Sequence, residues 1–167
     1  MASQKFIAGV TPIEATWLNP VNEFVYGPVS KTAAKELTPV DGERIYPQGP
    51  DGGVFIGVTG LAPGTLTDNG GAFYGTEFIP NGGDGSAGWV RSFYGLYRAE
   101  WFGLSTGATG VVNTTAINNC IAASPGPIAA PIATYLLSST PIVIPSGKGI
   151  VGDSDATKDN RTRFYKD

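Results

Sequence analysis

The segment that decides the fold is EWFGLSTGATGVVNTTAINNCIAAS, which runs from Glu100 to Ser124. It begins with an aromatic pair, continues through a glycine-rich loop and ends in a pattern typical of one short helix. Ile117, Cys120 and Ile121 follow the i, i+3, i+4 spacing that places side chains on one face of a helix. This pattern predicts an amphipathic helix that buries these three residues.

The predicted helix has polar residues before it and helix breakers after it. Asn113 or Thr114 is the expected N-cap, because a side-chain oxygen at that position accepts a hydrogen bond from a free backbone N–H. Pro125 and Gly126 end the helix. A helix is unusual here, since 24 Gly and 13 Pro in 167 residues disfavour helix interiors. With 41% hydrophobic and 11% aromatic residues, the chain has enough apolar surface to fold, and we predict a mainly β architecture.

Composition and charge exclude several functions. The net charge is −3 and only 15% of residues are charged, which argues against nucleic-acid binding. No apolar run approaches the roughly 20 residues that a membrane helix needs, so no membrane insertion is predicted. The N-terminal MASQKFIAGV is not a secretory signal, so we expect synthesis in the cytoplasm. Low charge with abundant Gly, Ser and Thr is typical of extracellular surfaces, and release by cell lysis would reconcile the two.

The scarcity of histidine and cysteine excludes several catalytic mechanisms and metal sites. The chain has no histidine, which excludes a Ser-His-Asp triad, a Cys-His pair and histidine-ligated metals. Cys120 is alone, so no internal disulfide or cysteine metal site forms, and we interpret it as a buried inert thiol. No cofactor and no metal site are predicted.

The chain divides into three regions. Residues 1–48 are proline-rich and extended, and they are predicted to become ordered against another molecule. Trp17, Phe24 and Tyr26 are the candidate interface residues, because this region is too extended to bury them in a core of its own. Within it, Ser30 is the predicted N-cap of a small helix.

Residues 49–97 are predicted to form a small β module. Val54, Ile56 and Val58 alternate along a strand and share one of its faces. Turn-forming residues follow at 67–71. Six aromatic residues around the end of the module are expected to form most of a small core: Trp89, Phe93, Tyr94, Tyr97, Trp101 and Phe102. A sugar-stacking platform is the alternative interpretation of these aromatic residues.

Residues 98–167 contain the helix and then three short extended pieces, IATYLLS, TPIVIPSG and KGIVGD. Turns interrupt these pieces about every eight residues. A helix followed by short, regularly punctuated strands is typical of the start of a β-solenoid. The polar tail after residue 152 has no cap or turn, which suggests a fragment of a longer protein.

Several short motifs, in their order and spacing, resemble the N-terminal part of tailed-phage tailspikes of the pectate-lyase-like right-handed β-helix superfamily. The resemblance covers residues 67–152, about half of the chain, and rests on DNGG (68–71), WVR (89–91), WFG (101–103), TAI (115–117), IAA (121–123), YLL (135–137), IPSG (144–147) and IVGD (150–153). There is one clear departure. Where the family has an acidic loop, this chain has GATGVVNTT, so the family's aspartate positions hold Ala108, Val112 and Asn113.

The resemblance implies a fold and a function. It implies a capping helix, with Ile117, Cys120 and Ile121 covering the first rung of a β-helix, and a parallel homotrimer. It also implies a virion tail protein that docks to a tail or baseplate protein through its N-terminus. Host surface polysaccharide would be bound, and cleaved by a depolymerase activity, in the missing C-terminal part.

Two alternative functions remain open, and the first depends on whether the acidic residues could cleave a polysaccharide. Paired carboxylates cleave glycosidic bonds, but Asp41, Asp51, Asp68 and Asp84 stand beside glycines and are better explained by turns. Glu77 and Glu100 stand beside aromatic residues, where sugar contact is conceivable but surface or turn positions are the preferred interpretation. The alternatives are therefore a polysaccharide-degrading enzyme in its own right and a bacterial surface adhesin. An adhesin is expected to carry an export signal.

Overall fold

The computed structural model describes residues 30–49, 51–152 and 161–166. As predicted, the chain is mainly β with few helices. The helices are α1 (Lys31–Ala34), a 3-10 helix (Ala99–Phe102) and α2 (Gly110–Ala123). The strands are β1 (Arg44–Ile45), β2 (Val54–Val58), β3 (Glu77–Phe78), β4 (Gly88–Ser92), β5 (Tyr97–Arg98), β6 (Ile128–Ala130), β7 (Thr134–Leu137), β8 (Ile150–Gly152) and β9 (Arg163–Lys166).

The first four strands form an antiparallel sheet in the order β1-β2-β4-β3. Phe55 and Gly57 of β2 point towards the core, whereas Val54, Ile56 and Val58 lie half-buried on the opposite face. The prediction that these three aliphatic residues share a face is therefore confirmed, but the fully buried face of the strand is the other one.

Aromatic rings fill the core beneath this sheet. Phe55 lies against Tyr74 and Phe78, with ring centroids 5.6 and 5.2 Å away, and Trp89 completes the cluster. Helix α1 closes it through Ala34. The predicted Ser30 cap is confirmed, since its Oγ accepts a hydrogen bond from the N–H of Ala33 at 3.2 Å.

Helix α1 and strand β1 precede residue 49, yet both belong to this packed unit. The boundary at residue 49 stays a sequence-based prediction.

The aromatic run does not form a single core, contrary to expectation. Trp89 belongs to the sheet core, whereas Trp101 and Phe102 belong to a second core around α2. Phe93 and Tyr94 are exposed, Tyr94 completely so. The physical reason is that β4 ends at Ser92, so the strict in-and-out alternation that buries Trp89 no longer applies to the residues after it.

The last five strands pair in parallel. Strands β5, β6 and β8 form one sheet, and β7 pairs with β9. Ile128 of β6 pairs with Ile150 of β8, 22 positions further along the chain. Tyr135 of β7 pairs with Phe164 of β9, and their rings lie 5.8 Å apart. The chain therefore passes three times through one strand position, as β5, β6 and β8, and twice through the other, as β7 and β9.

The second of the three predicted extended pieces is not a strand. Residues 141–145 form an irregular loop between β7 and β8. Asn118 on α2 holds this loop, because its amide donates to the carbonyl of Pro141 at 3.2 Å and accepts from the N–H of Val143 at 3.3 Å. The Asn118 side chain thus makes hydrogen bonds to the loop backbone of the kind that a neighbouring strand would make.

Helix α2 begins earlier than predicted. Thr109 is its N-cap, and its Oγ1 accepts from the N–H of Val112 at 3.4 Å. Asn113 and Thr114, the expected caps, lie inside the helix and are fully buried. At 14 residues, α2 is the longest helix in the described part of the chain, and no helix there is long and apolar enough to cross a membrane.

Candidate functional site: the junction between the sheet and the helix-covered strands

The residues that the sequence predicts to form an interface or a cap fall into two groups. Trp17, Phe24 and Tyr26 lie outside the described residues, and their interface role stays a prediction. Ile117, Cys120 and Ile121 share the buried face of α2, with 0%, 0% and 2% of their surface exposed. They contact a core that also contains Ala99, Trp101, Phe102, Leu104, Ala116, Ile128, Ala130 and Tyr135.

Helix α2 packs against the parallel strands. Its buried face belongs to the same core as Ile128 of β6 and Tyr135 of β7, the first strand of each pair to follow the helix. The backbone at Gly110 runs so close to Leu137 that a Cβ at that position would overlap it. The role of α2 as the cap of a β-helix stays a prediction.

Asn113 fastens the helix to its surroundings, a role that the sequence interpretation missed. Its Oδ1 accepts from the N–H of Ser105 at 2.9 Å, and its Nδ2 donates to the carbonyl of Leu136 at 3.0 Å. Thr114 adds a bond in which its Oγ1 accepts from the N–H of Ser138 at 3.0 Å. Fully buried amides and hydroxyls need such partners, so these two side chains tie α2 to the end of β7.

Lys148 holds the other end of the helix. Its ammonium group donates to the carbonyls of Ile121 and Ala122 at 2.5 and 3.3 Å. A cation there is favourable because the last helical carbonyls lack intrahelical partners and carry partial negative charge.

Burial changes the chemistry of Cys120. Desolvation raises the pKa of the Cys120 thiol to about 12, and the nearby charge of Glu100 acts in the same direction. The thiolate is the nucleophilic form, so this cysteine is unreactive at neutral pH, in agreement with its interpretation as an inert core residue.

Arg91 joins the two cores. Its guanidinium carbon lies 4.5 Å from the centroid of Phe55 in the sheet core and 4.5 Å from that of Trp101 in the helix core. Only 5% of Arg91 is exposed. Desolvation lowers its pKa to about 10, against the raising effect of Asp51 and Glu100.

Backbone carbonyls satisfy the buried guanidinium. Arg91 donates to the carbonyl oxygens of Gly75, Gly52 and Asp51 at 2.8, 2.6 and 2.5 Å. A guanidinium offers five donors in a rigid plane, which allows it to bond at its edge and stack on both faces. The sequence contained this residue in a recognised motif, but nothing in the local pattern indicated that it spans two cores.

Two further contacts strengthen the junction. The N–H of Gly75 donates to the carbonyl of Trp101 at 2.9 Å. Gly103 adopts a φ of 103° and lies against the ring of Phe73, where any Cβ would overlap the ring. The junction is therefore closely packed on both sides.

A partly buried ion pair orders the loop beside the junction. Lys31 of α1 contacts Asp68 and also donates to the carbonyls of Gly71 and Phe73 at 2.7 and 2.5 Å. Burial lowers the pKa of Lys31, while its hydrogen bond to Asp68 opposes that shift. Asp68, interpreted from sequence as a turn residue, thus also anchors α1.

Among residues 30–49, 51–152 and 161–166, no three His, Cys, Asp or Glu side chains come together in a way that would hold a metal ion.

The comparisons with known proteins give structural relatives only. No family model matches the chain, and no curated protein matches it. Among solved structures, the chain is similar to the Acinetobacter baumannii phage AM24 tailspike protein, with a TM-score of 0.57 and 17% identity over 85% of this chain. It is also similar to the enzymatically active domain of tailspike protein 4 of bacteriophage CBA120, with a TM-score of 0.59 and 16% identity over 92% of this chain.

A third similar structure is full-length tailspike protein 2 from the Escherichia coli O157:H7 bacteriophage CAB120, with a TM-score of 0.50 and 21% identity over 76% of this chain. The chain spans only 23%, 20% and 18% of these three proteins. At such identities the likeness is one of fold, and it relates this chain to about a fifth of a tailspike.

Proposed function

We propose that this chain is the N-terminal part of a tailed-phage tailspike, a structural virion protein that attaches the spike to the tail. Residues 1–48 dock to a tail or baseplate protein, and residues 49–97 connect that anchor to the spike body. From about residue 98 the chain begins a right-handed β-helix of the pectate-lyase-like type. We expect the protein to be made in the host cell and released in the virion.

The observation that carries this proposal is the repeated parallel pairing after α2. Ile128 pairs with Ile150 and Tyr135 with Phe164, so equivalent side chains of successive passes lie next to one another. Solenoids are built in this way, since each repeat contacts only its neighbours. The similarity to three tailspike structures supports the same proposal.

Ile117, Cys120 and Ile121 act in this proposal as the cap of the β-helix. The first rung of a solenoid exposes apolar side chains and unpaired backbone groups, which invite strand addition by other chains. The contacts of α2 with Ile128 and Tyr135 are those that a cap needs.

Trp17, Phe24 and Tyr26 make the contacts with the tail or with neighbouring subunits. A parallel homotrimer buries apolar surface that a thin solenoid leaves exposed, as with Val143 and Val151, which are 68% and 47% exposed. Host polysaccharide is bound by the part of the spike that follows this chain, where any depolymerase activity also lies.

Immunogold electron microscopy tests the location. Virions are purified from a lysate in which this chain is detected by mass spectrometry, and an antibody raised against residues 30–166 is applied. We expect gold at the tail, near the attachment point of the spikes. Gold confined to the capsid or to bacterial envelopes would contradict the proposal.

Light scattering of the 167-residue chain tests the trimer, with a mass of three chains as the expected result.

Incubation of the same chain with capsule or lipopolysaccharide tests the enzymatic alternative. We expect no new reducing ends, and robust release would favour an enzyme in its own right.

A further inference from the structure

A cleft of about 360 Å³ lies between the antiparallel sheet and the C-terminal end of α2. Such a volume is at the lower end of the range of about 300–1,000 Å³ that is usual for small-molecule sites. Six of its eight lining residues bring polar or aromatic groups, namely Thr67, Asn69, Thr76, Glu77, Tyr97 and Asn119. The other two are alanines, and no Lys or Arg lines it. The proposed function makes no use of this cleft.

One wall of the cleft is held rigid by its own hydrogen bonds. Glu77 Oε1 accepts from the N–H and the Oγ1 of Thr67 at 3.0 and 2.7 Å. Asn69 accepts from the N–H of Thr76 at 3.0 Å and donates to its Oγ1 at 2.7 Å. A ligand therefore meets a preorganised wall, which reduces the entropy lost on binding.

Three polar groups of the cleft have no hydrogen-bond partner among the described residues. These are Oε2 of Glu77, the side-chain amide of Asn119 and the hydroxyl of Tyr97. The Tyr97 ring makes an edge contact with Phe93 and a tilted contact with Trp101, whose centroids lie 5.2 and 6.5 Å away. The cleft thus offers a carboxylate acceptor, an amide that both donates and accepts, and an immobilised aromatic ring.

Charge restricts the ligand class. The Glu77 carboxylate and the helix end disfavour phosphate, sulfate and carboxylate ligands, since helix C-termini carry partial negative charge. Lys148 contacts the carbonyls of Ile121 and Ala122 but does not line the cleft. A purely apolar ligand would leave the three polar groups without partners, at an energetic cost.

We propose that this cleft binds one pyranose residue of an uncharged saccharide. Two neighbouring hydroxyls donate to Oε2 of Glu77, the Asn119 amide bonds the next hydroxyl, and the apolar C–H face of the sugar lies against Tyr97. The proposal is independent of attachment to a phage tail, because the cleft lies entirely within residues 67–123.

Saturation-transfer NMR with the 167-residue chain tests the proposal, using methyl glucopyranoside, methyl galactopyranoside and N-acetylglucosamine as separate probes. We expect transfer to the ring protons of at least one probe. Asn119→Ala is the decisive variant, since Asn119 makes no hydrogen bond within the described chain and its loss leaves the fold intact. We expect its affinity for that probe to fall at least tenfold.

Glu77→Gln is expected to weaken binding of the same saccharide probe. Glu43→Gln is the matched control, because Glu43 is an exposed acid away from the cleft, and we expect it to leave probe binding unchanged. Absence of transfer to all three probes overturns the proposal, as does transfer that persists undiminished in Asn119→Ala. Neither result affects the location of the chain on the virion, which immunogold labelling tests separately.

Discussion

The guanidinium of Arg91 stacks on the ring of Trp101 at 4.5 Å, and this contact connects the sheet core to the core around α2. The same guanidinium also lies over the ring of Phe55, again at 4.5 Å. Arg91 thus links the two cores, together with the Gly75–Trp101 hydrogen bond and the contact of Gly103 with Phe73.

Replacing Arg91 with lysine should destabilise the chain. An ammonium group is a point charge that cannot bond three carbonyls in one plane and stack on two rings at once. We expect the free energy of unfolding to fall by about 2 kcal/mol or more, measured by urea denaturation. The sheet and the helix core should then unfold in separate transitions. Arg44→Lys, at an exposed position of β1, should change stability by less than about 0.5 kcal/mol. Equal effects of the two changes would refute the role of Arg91.

Asn113→Asp replaces the buried amide with a carboxylate of nearly the same shape, and we expect it to be harmful. The new carboxylate would face the carbonyl of Leu136, to which the amide now donates at 3.0 Å. A buried charge opposite a carbonyl should lower the stability by about 2 kcal/mol or more. Asn118→Asp is the matched control, because Asn118 makes two similar bonds at a partly exposed position. Thermal unfolding compares the two, and an Asn113→Asp variant as stable as Asn118→Asp would contradict the fastening role.

Ile121→Asp tests the capping face of α2. Only 2% of Ile121 is exposed, so an aspartate there buries a charge with no partner and should cost about 4 kcal/mol or more. The expected outcome is unfolding or aggregation, detected by circular dichroism and light scattering. The neighbouring Ala122→Asp, on the exposed face, should remain soluble and folded. A soluble, parent-like Ile121→Asp variant would show that the helix is not a cap.

Alkaline pH should destabilise the chain through Cys120. Its pKa rises from 9.0 to about 12 on folding, so above pH 9 the unfolded chain loses a proton that the folded chain retains. Stability therefore falls as the pH rises, by about 1.4 kcal/mol per unit once the unfolded thiol is ionised. Tyr74, whose pKa rises to about 12, adds a similar loss above pH 10.

Cys120→Ala, compared with the parent in a reducing buffer, should remove the part of this slope between pH 9 and 10. Parallel stability curves for the two proteins in that window would exclude the thiol as the cause.

The sequence predicted the elements better than it predicted their contacts. Alternation along Val54 to Val58 and the spacing of Ile117, Cys120 and Ile121 are local patterns, and they indicated the right elements. The Thr109 cap was missed because the polar residues Asn113 and Thr114 were also plausible caps, and only the fold shows that both are buried.

The junction could not have been predicted from local pattern. Arg91 bonds carbonyls about 16 to 40 positions away and stacks on rings from both cores. The cleft likewise combines Glu77 of β3 with Asn119 of α2. Such long-range relationships depend on how the two units meet, which periodicity does not encode.

Cryo-electron microscopy of the tail of virions that contain this chain tests the central claim most directly. The account predicts three copies of the fold of residues 30–166 around one axis, with their N-terminal ends towards the tail and parallel coils continuing beyond β8 and β9. A tail without this fold, or copies that point their N-terminal ends away from the virion, would contradict it.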